Sequence, residues 1–90
     1  MSRVRARVYG LVQGVGYRAS VHRRIASLAV TGYVRNMPDG SVELDITGES
    51  SDVEAALAEA KEGSPFSSVE RIETETLNGD SGYAGFVIER

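Results

Sequence analysis

The residues that could do chemistry cluster in one stretch near the start of the chain, Gly10-Leu11-Val12-Gln13-Gly14-Val15-Gly16-Tyr17-Arg18. Gly10, Gly14 and Gly16 allow positive φ, so that a loop can direct several successive N–H groups at one centre. A helix that follows such a loop adds the positive end of its dipole. Arg18 adds a permanent charge and a planar fork of donors that matches a phosphate. The stretch therefore predicts a cradle for a phosphoryl group.

Each of these residues also has an ordinary structural explanation. Closely spaced glycines can simply form a tight turn from a strand into a helix, without binding anything. A glycine motif therefore stays a hypothesis until its context is known. Arg18 by itself would be a solvated arginine, placed unfavourably because a cation opposes the helix dipole at that end. That local cost is itself a hint of a nearby anion.

The elements that must position the stretch follow from the spacing of apolar residues. Residues 3–9 alternate apolar residues with arginines, which is the period of a half-buried strand. A helix is predicted from about Tyr17 to Ala29, because three apolar residues share one of its faces: Val21, Ile25 and Leu28. Residues 30–36 are predicted as a second strand, which a turn joins to a third strand that also alternates.

The second half of the chain predicts a helix followed by two strands. Ser51 and Glu54 have the spacing of a capping box and predict the start of a second helix, which ends at Gly63. A strand from about Ser68 to Leu77 needs a bulge to bring its apolar residues to one face, and a last alternating strand follows. The order β-α-β-β-α-β-β predicts an α+β fold, a ferredoxin-like split-βαβ sandwich with a mostly antiparallel sheet and both helices on one face. We expect residues 1–90 to form one domain.

Charge is distributed unevenly along the chain. Residues 1–38 contain seven arginines and no Asp or Glu, whereas all 13 acids lie in residues 39–90, and the net charge is −3. If the early elements share one edge of the fold, that edge attracts anions; otherwise the pattern is chance.

The chain has no cysteine, which excludes disulfides and thiolate chemistry. Because no signal-peptide core or membrane-spanning run is present, we expect a cytoplasmic protein without a membrane partner.

A second motif, Gly32-Tyr33-Val34-Arg35-Asn36, lies at the end of the predicted second strand. Together with Gly10 to Arg18, in this order and in a chain this short, it closely resembles the acylphosphatase family. By itself, Asn36 is more often a turn residue. The resemblance covers essentially the whole length and implies hydrolysis of carboxylic–phosphoric mixed anhydrides to a carboxylate and inorganic phosphate.

The resemblance also implies roles for individual residues. Arg18 is similar to the catalytic arginine that binds phosphate, and Asn36 to the asparagine that orients the attacking water. The backbone N–H groups of six residues would bind the substrate: Gln13, Gly14, Val15, Gly16, Tyr17 and Arg18. A carboxylate is a good leaving group that needs little proton delivery from a general acid. The main tasks are therefore to neutralise developing charge on the phosphoryl oxygens and to hold the water in line. Asn36 is too weak a base to take the proton, and we expect a phosphoryl oxygen of the substrate to receive it.

Other residues and partners are expected to contribute less. Tyr17 is expected to pack and not to act on substrate. The single histidine, His22, is expected at the surface, with a modest effect on substrate affinity as the alternative. One histidine without nearby acids rarely makes a metal site, so neither a metal nor another cofactor is expected. The expected partner is a small acyl phosphate, for a monomer that binds no nucleic acid.

Two other functions stay open at this point. A ferredoxin-like sheet can bind RNA or a small anionic metabolite, although such a sheet needs exposed aromatic residues and this chain is net acidic. Domains similar to this one also form the N-terminal part of large carbamoyl-transfer enzymes that mature hydrogenases. Since the sequence does not extend past residue 90, a free-standing enzyme is the better interpretation.

Overall fold

The computed structural model describes all residues from 1 to 90 and contains two helices and five strands. In chain order they are β1 (Ser2–Leu11), α1 (Tyr17–Ile25), β2 (Val30–Asn36), β3 (Val42–Gly48), α2 (Ser50–Glu62), β4 (Ser68–Leu77) and β5 (Phe86–Glu89). This is the predicted order. Neither α1 nor α2 combines the length with the apolar composition of a membrane-spanning helix.

The strands form one sheet in the order β4-β1-β3-β2-β5, in which only the β2–β5 pair is parallel. The core is built from alternate strand residues, such as Ala6 and Leu44, and from the apolar stripes of both helices, such as Val21 and Val53. Both helices thus cover the same face of the sheet. The predicted α+β sandwich is confirmed.

The register brings the two motifs to one end of the sheet. Central strand β3 runs antiparallel to both β1 and β2, and its residue Val42 lies opposite Val8 on one side and Asn36 on the other. The ends of β1 and β2 are therefore separated by a single strand, about 10 Å. The loop that leaves β1 and the residue that ends β2 share one edge.

The face of the sheet away from the helices carries the charged residues of β1 and β3. Asp45 is fully buried there and accepts hydrogen bonds from Arg3 at 2.9 and 3.0 Å and from Arg5 at 3.1 and 3.3 Å. Buried Glu43 accepts from Tyr33, Arg35 and Arg7 at 2.7, 2.9 and 3.0 Å. The expectation of one shared positive edge is therefore wrong for these arginines, because β3 places acids between them.

The predicted bulge in β4 lies at Glu70. Tyr9 pairs with Arg71 but Gly10 pairs with Val69, so that one extra residue enters β4. As a result Val69 and Ile72 both pack against the core. Gly10 is required here, since a Cβ on it would lie 2.1 Å from the carbonyl oxygen of Ser68.

One boundary of each predicted helix is wrong, namely the end of α1 and the start of α2. Helix α1 ends at Ile25, and the N–H of Leu28 turns back to the carbonyl of Ile25, because the chain must enter β2 at Val30. Helix α2 begins at Ser50 after Glu49, with no side-chain cap, so the predicted capping box does not form. Ser51, the predicted N-cap residue, lies inside α2, and the hydroxyl of the first helical residue, Ser50, is 2.8 Å from that of Ser2.

Candidate functional site

Residues 12–16, called the glycine loop below, connect β1 to α1. Gly14 and Gly16 both have φ of 75°, a conformation that side chains disfavour. A Cβ on either glycine would meet nothing within 4 Å, so these glycines are required for the backbone and not for space. The loop therefore follows the strand-to-helix path that the sequence predicted.

The glycine loop has unused hydrogen-bond donors. None of the backbone N–H groups of Gln13, Gly14, Val15 and Gly16 donates to an acceptor in the chain. The first helix-type bond runs from the Ser20 N–H to the Gly16 carbonyl at 3.0 Å, so the opening N–H groups of α1 are also free of intrahelical partners. Consecutive free amides at a helix N-terminus can bind an anion.

Arg18 is the second residue of α1 and is half-buried. One terminal nitrogen of its guanidinium donates to the carbonyl oxygen of Glu89 at 3.1 Å. Arg18 forms no ion pair with a carboxylate. Its charge is therefore not neutralised within the chain, and β5 holds its orientation.

Asn36 is the last residue of β2 and is exposed. Its side-chain amide makes no hydrogen bond within the chain, which leaves both a donor and an acceptor available. Arg18 and Asn36 line one cleft of about 220 Å³. The other lining residues are Val12, Gly14, Gly16, Tyr17, Ala19, Ile88 and Arg90.

Most of the predicted site residues line this cleft, but two do not. Gln13 and Val15 are absent from its walls. The Gln13 side chain instead donates to the carbonyl oxygens of Met37 and Ser41, at 2.8 and 2.9 Å. It thereby ties the glycine loop to the turn that follows Asn36.

The sequence did not indicate the contribution of β5. Ile88 and Arg90 line the cleft because β5 runs parallel to β2, with Ile88 opposite Val34 and Glu89 opposite Arg35. No short turn joins these two strands, so alternation within β5 carries no information about its register against β2.

Tyr17 and His22 both serve to pack α1. The Tyr17 hydroxyl donates to the Ala60 carbonyl at 2.6 Å, and burial raises the pKa of this tyrosine. Its ring thus packs as expected. The expectation of a surface histidine is wrong: His22 is half-buried, with its Nε2 2.9 Å from the Phe86 carbonyl and its ring stacked on that of Phe86.

A larger cavity, about 360 Å³, lies on the polar face of the sheet between β1 and β4. Its arginines, Arg5 and Arg7, are already bonded to Asp45 and Glu43. The smaller cleft is the better candidate site, because it combines an unneutralised guanidinium with free backbone donors. No group of three or more His, Asp or Glu side chains is arranged to hold a metal ion.

Comparison with known proteins shows similarity to one family over nearly the whole chain. A family model described as Acylphosphatase matches residues 4–88. A curated acylphosphatase of Thermococcus kodakarensis is 49% identical over 90 residues, 98% of each chain, and that of Caldivirga maquilingensis is 42% identical over 87 residues, 96% of this chain and 92% of its own. The crystal structure of acylphosphatase from Bacillus subtilis superposes with a TM-score of 0.94 at 33% identity and covers 100% of both chains.

Proposed function

Because this chain belongs to the acylphosphatase family and is an enzyme that hydrolyses acyl phosphates, we propose that Arg18 and Asn36 carry the reaction in the cleft beside the glycine loop. The observation that supports this most strongly is the convergence of both side chains on the cleft that Gly14 and Gly16 line. The substrate is a small molecule with a carboxylic–phosphoric anhydride.

The phosphoryl group binds to the glycine loop and Arg18. The free N–H groups from Gln13 to Arg18 supply donors at the positive end of α1. Arg18 keeps donors for a phosphoryl oxygen while one of its nitrogens bonds to Glu89. These groups are in place before substrate arrives, so charge that develops on the phosphoryl oxygens is stabilised without reorganisation.

Asn36 holds the attacking water. Its carboxamide accepts a hydrogen bond from water through the oxygen or donates through the nitrogen, and no protein group competes for either. The water oxygen attacks phosphorus in line, the P–O bond to the acyl group breaks, and the carboxylate leaves with the electron pair.

The proton of the water passes to a phosphoryl oxygen of the substrate. Support comes from the cleft itself, whose titratable residues are Tyr17, Arg18 and Arg90. The Tyr17 hydroxyl is buried and donates to Ala60, and arginines stay protonated. No lining side chain can serve as a general base near neutral pH.

Support against the RNA-binding alternative comes from the polar face of the sheet. The Tyr33 hydroxyl is bonded to Glu43 and its ring lies 5.4 Å from that of Tyr83, while the Arg71 guanidinium lies 3.9 Å from the centre of the Tyr9 ring. These aromatic rings are occupied by protein, whereas single-stranded RNA requires rings on which bases can stack. We therefore propose that the chain binds no nucleic acid. We also propose that residues 1–90 form one domain, which is monomeric and cytoplasmic.

The experiment is the hydrolysis of benzoyl phosphate by the native chain, Arg18→Ala and Asn36→Ala. Each substitution should lower kcat/KM by about 10²-fold or more, since each removes an interaction that is strongest in the transition state. Matched controls are Arg23→Ala, an exposed arginine of the same helix, and Asn78→Ala, whose side chain makes no hydrogen bond.

Circular dichroism must first establish that all four variants are folded. Both controls should keep the native rate. Folded Arg18→Ala or Asn36→Ala with a native rate would remove that residue from the mechanism.

A further inference from the structure

Ser64 lies 49 residues from Val15 in the chain but reaches the glycine loop in space. It belongs to the segment between α2 and β4, and only 8% of it is exposed. Its hydroxyl donates to the carbonyl oxygen of Val15 at 2.9 Å. This is a side-chain contact to the loop from outside the two sequence motifs.

The Val15 carbonyl has no other partner in the chain. A carbonyl just before a helix normally accepts the N–H four residues later, but the N–H of Ala19 does not bond to Val15. The peptide between Val15 and Gly16 is therefore rotated out of the helical direction, and Ser64 holds it there.

The direction of that carbonyl decides where the Gly16 N–H points. Every peptide bond in the chain is trans, and in a planar trans peptide the C=O and N–H groups point in opposite directions. By holding the carbonyl, Ser64 directs the Gly16 N–H away from the α2–β4 segment. Gly16 lines the cleft, and its N–H has no acceptor in the chain.

Ser64 is itself held firmly. Its N–H donates to the Ser67 hydroxyl at 2.8 Å, and that hydroxyl donates back to the Ser64 carbonyl at 2.9 Å. The end of α2 is fastened to the start of α1 by the bond from Tyr17 to Ala60. The main chain of Ser64 is thus fixed relative to the loop that its hydroxyl contacts.

We propose that Ser64 is a positioning residue for phosphoryl binding, which acts by fixing the Gly16 N–H in the direction of the phosphate. This rests on the proposed function, in which the N–H groups of the glycine loop bind phosphoryl oxygens. Ser64 touches neither substrate nor water, and its effect passes through one peptide plane.

The test is titration of ¹⁵N-labelled chain with inorganic phosphate, followed through the Gly16 amide resonance. Ser64→Ala should weaken phosphate binding about fivefold, the value of one well-directed hydrogen bond. It should also reduce the shift of the Gly16 amide at saturation. A role in folding alone would change the unfolding midpoint but neither of these quantities.

The matched control is Ser20→Ala. The Ser20 hydroxyl is buried beside the same segment and bonds to the Gly63 carbonyl at 3.4 Å, but it does not reach the carbonyl of Val15. Ser20→Ala should keep the native affinity for phosphate and the native Gly16 shift. Ser64→Cys, which keeps a weaker donor, should give an intermediate affinity and provides the same test should Ser64→Ala be unstable.

The outcomes separate the two proposals. If the Gly16 amide resonance of the native protein does not respond to phosphate, the loop does not bind phosphate as proposed, and the proposed function is overturned. A native amide that responds, together with unchanged affinity and unchanged Gly16 shift in Ser64→Ala or Ser64→Cys, would overturn the role of Ser64 alone.

Discussion

Arg18 occupies a position that is unfavourable for a cation. It lies in the first turn of α1, where the helix dipole is positive, and no carboxylate pairs with it. Its bond to the Glu89 carbonyl orients the guanidinium but does not neutralise it. We infer that a phosphoryl group bound in the proposed site offsets both the helix dipole and the charge of Arg18, which contributes to the affinity for the substrate.

At the residue scale, the absence of a base among the cleft residues leads to a prediction about pH. The kcat for benzoyl phosphate should show no enzyme ionisation between about pH 5 and 8, the range in which perturbed carboxyl and imidazole groups act as bases. A pH–rate profile checks this, with the ionisation of the substrate measured separately by phosphorus NMR.

An acid limb that disappears when a single carboxyl or imidazole side chain is replaced would contradict transfer of the proton to the substrate. His22→Ala is the natural comparison, because it removes the one imidazole of the chain. That variant should lose packing against Phe86 and keep the shape of the profile.

At the scale of elements, the glycine loop and the β2–β3 turn act as one unit. The Gln13 amide donates to Met37 and Ser41, and the turn is closed by the bond from the Met37 N–H to the Ser41 carbonyl at 2.8 Å. Asn36 immediately precedes this turn. We therefore infer that the side chain of Gln13 sets the distance between the glycine loop and Asn36.

Gln13→Met keeps the length of the side chain but removes both donors. We expect kcat for benzoyl phosphate to fall about tenfold and the stability to fall by about 1 kcal/mol, since both carbonyls keep a backbone partner. In the double variant with Asn36→Ala, the added loss should be much smaller than tenfold, because Gln13 acts through Asn36.

Kinetic losses that multiply fully in the double variant would show that Gln13 and Asn36 act independently. Denaturation in urea, measured on the same four proteins, separates the effect on kcat from the effect on stability.

Sequence patterns predicted the elements but not all their boundaries or tertiary contacts. Alternation in β1 and β3 gave the strands, and the glycines and Arg18 gave the loop, because those signals are local. The two helix boundaries that differ, the end of α1 and the start of α2, depend on where the chain must go next. The contact between Ser64 and Val15 depends on residues that are distant in sequence. The sequence predicts a role only for the backbone N–H of Gln13, because the spacing of the glycines around it says nothing about the contacts of its side chain.

At the scale of the whole molecule, the uneven distribution of charge is largely neutralised by the fold. Four of the seven early arginines pair with acids that follow in sequence, and α1 keeps the unpaired ones, namely Arg18, Arg23 and Arg24. Arg3 also contacts the segment between β4 and β5, where the Asn78 carbonyl accepts a hydrogen bond from its guanidinium at 3.2 Å. Among the early arginines, those without an acidic partner therefore all lie on the helix that begins at the cleft.

Glu43 should make stability depend on pH. Burial by itself would raise the pKa of Glu43, but hydrogen bonds from Tyr33 and Arg7 and the charge of Arg35 outweigh it and lower the pKa below the ordinary 4.5. The fold therefore favours the carboxylate. Its stabilising effect is present above pH 4.5 and is lost as the pH falls through the lowered pKa.

Urea denaturation of the native chain and Glu43→Gln between pH 7 and 3 tests this effect. The variant should be less stable near neutral pH by on the order of 2 kcal/mol, because Arg7 and Arg35 lose their partner. It should also lose less stability on acidification. Parallel curves for the two proteins would contradict the assigned role of Glu43.

A crystal structure of the chain with orthovanadate tests the proposed site most directly, because vanadate adopts the five-coordinate geometry of a phosphoryl group during in-line attack. We expect vanadate in the cleft, with its equatorial oxygens about 2.7–3.2 Å from N–H groups of the glycine loop and from Arg18. One apical oxygen should bond to the Asn36 carboxamide. Vanadate bound on the polar face of the sheet, or bound in the cleft with its apical oxygens out of reach of Asn36, would contradict this expectation.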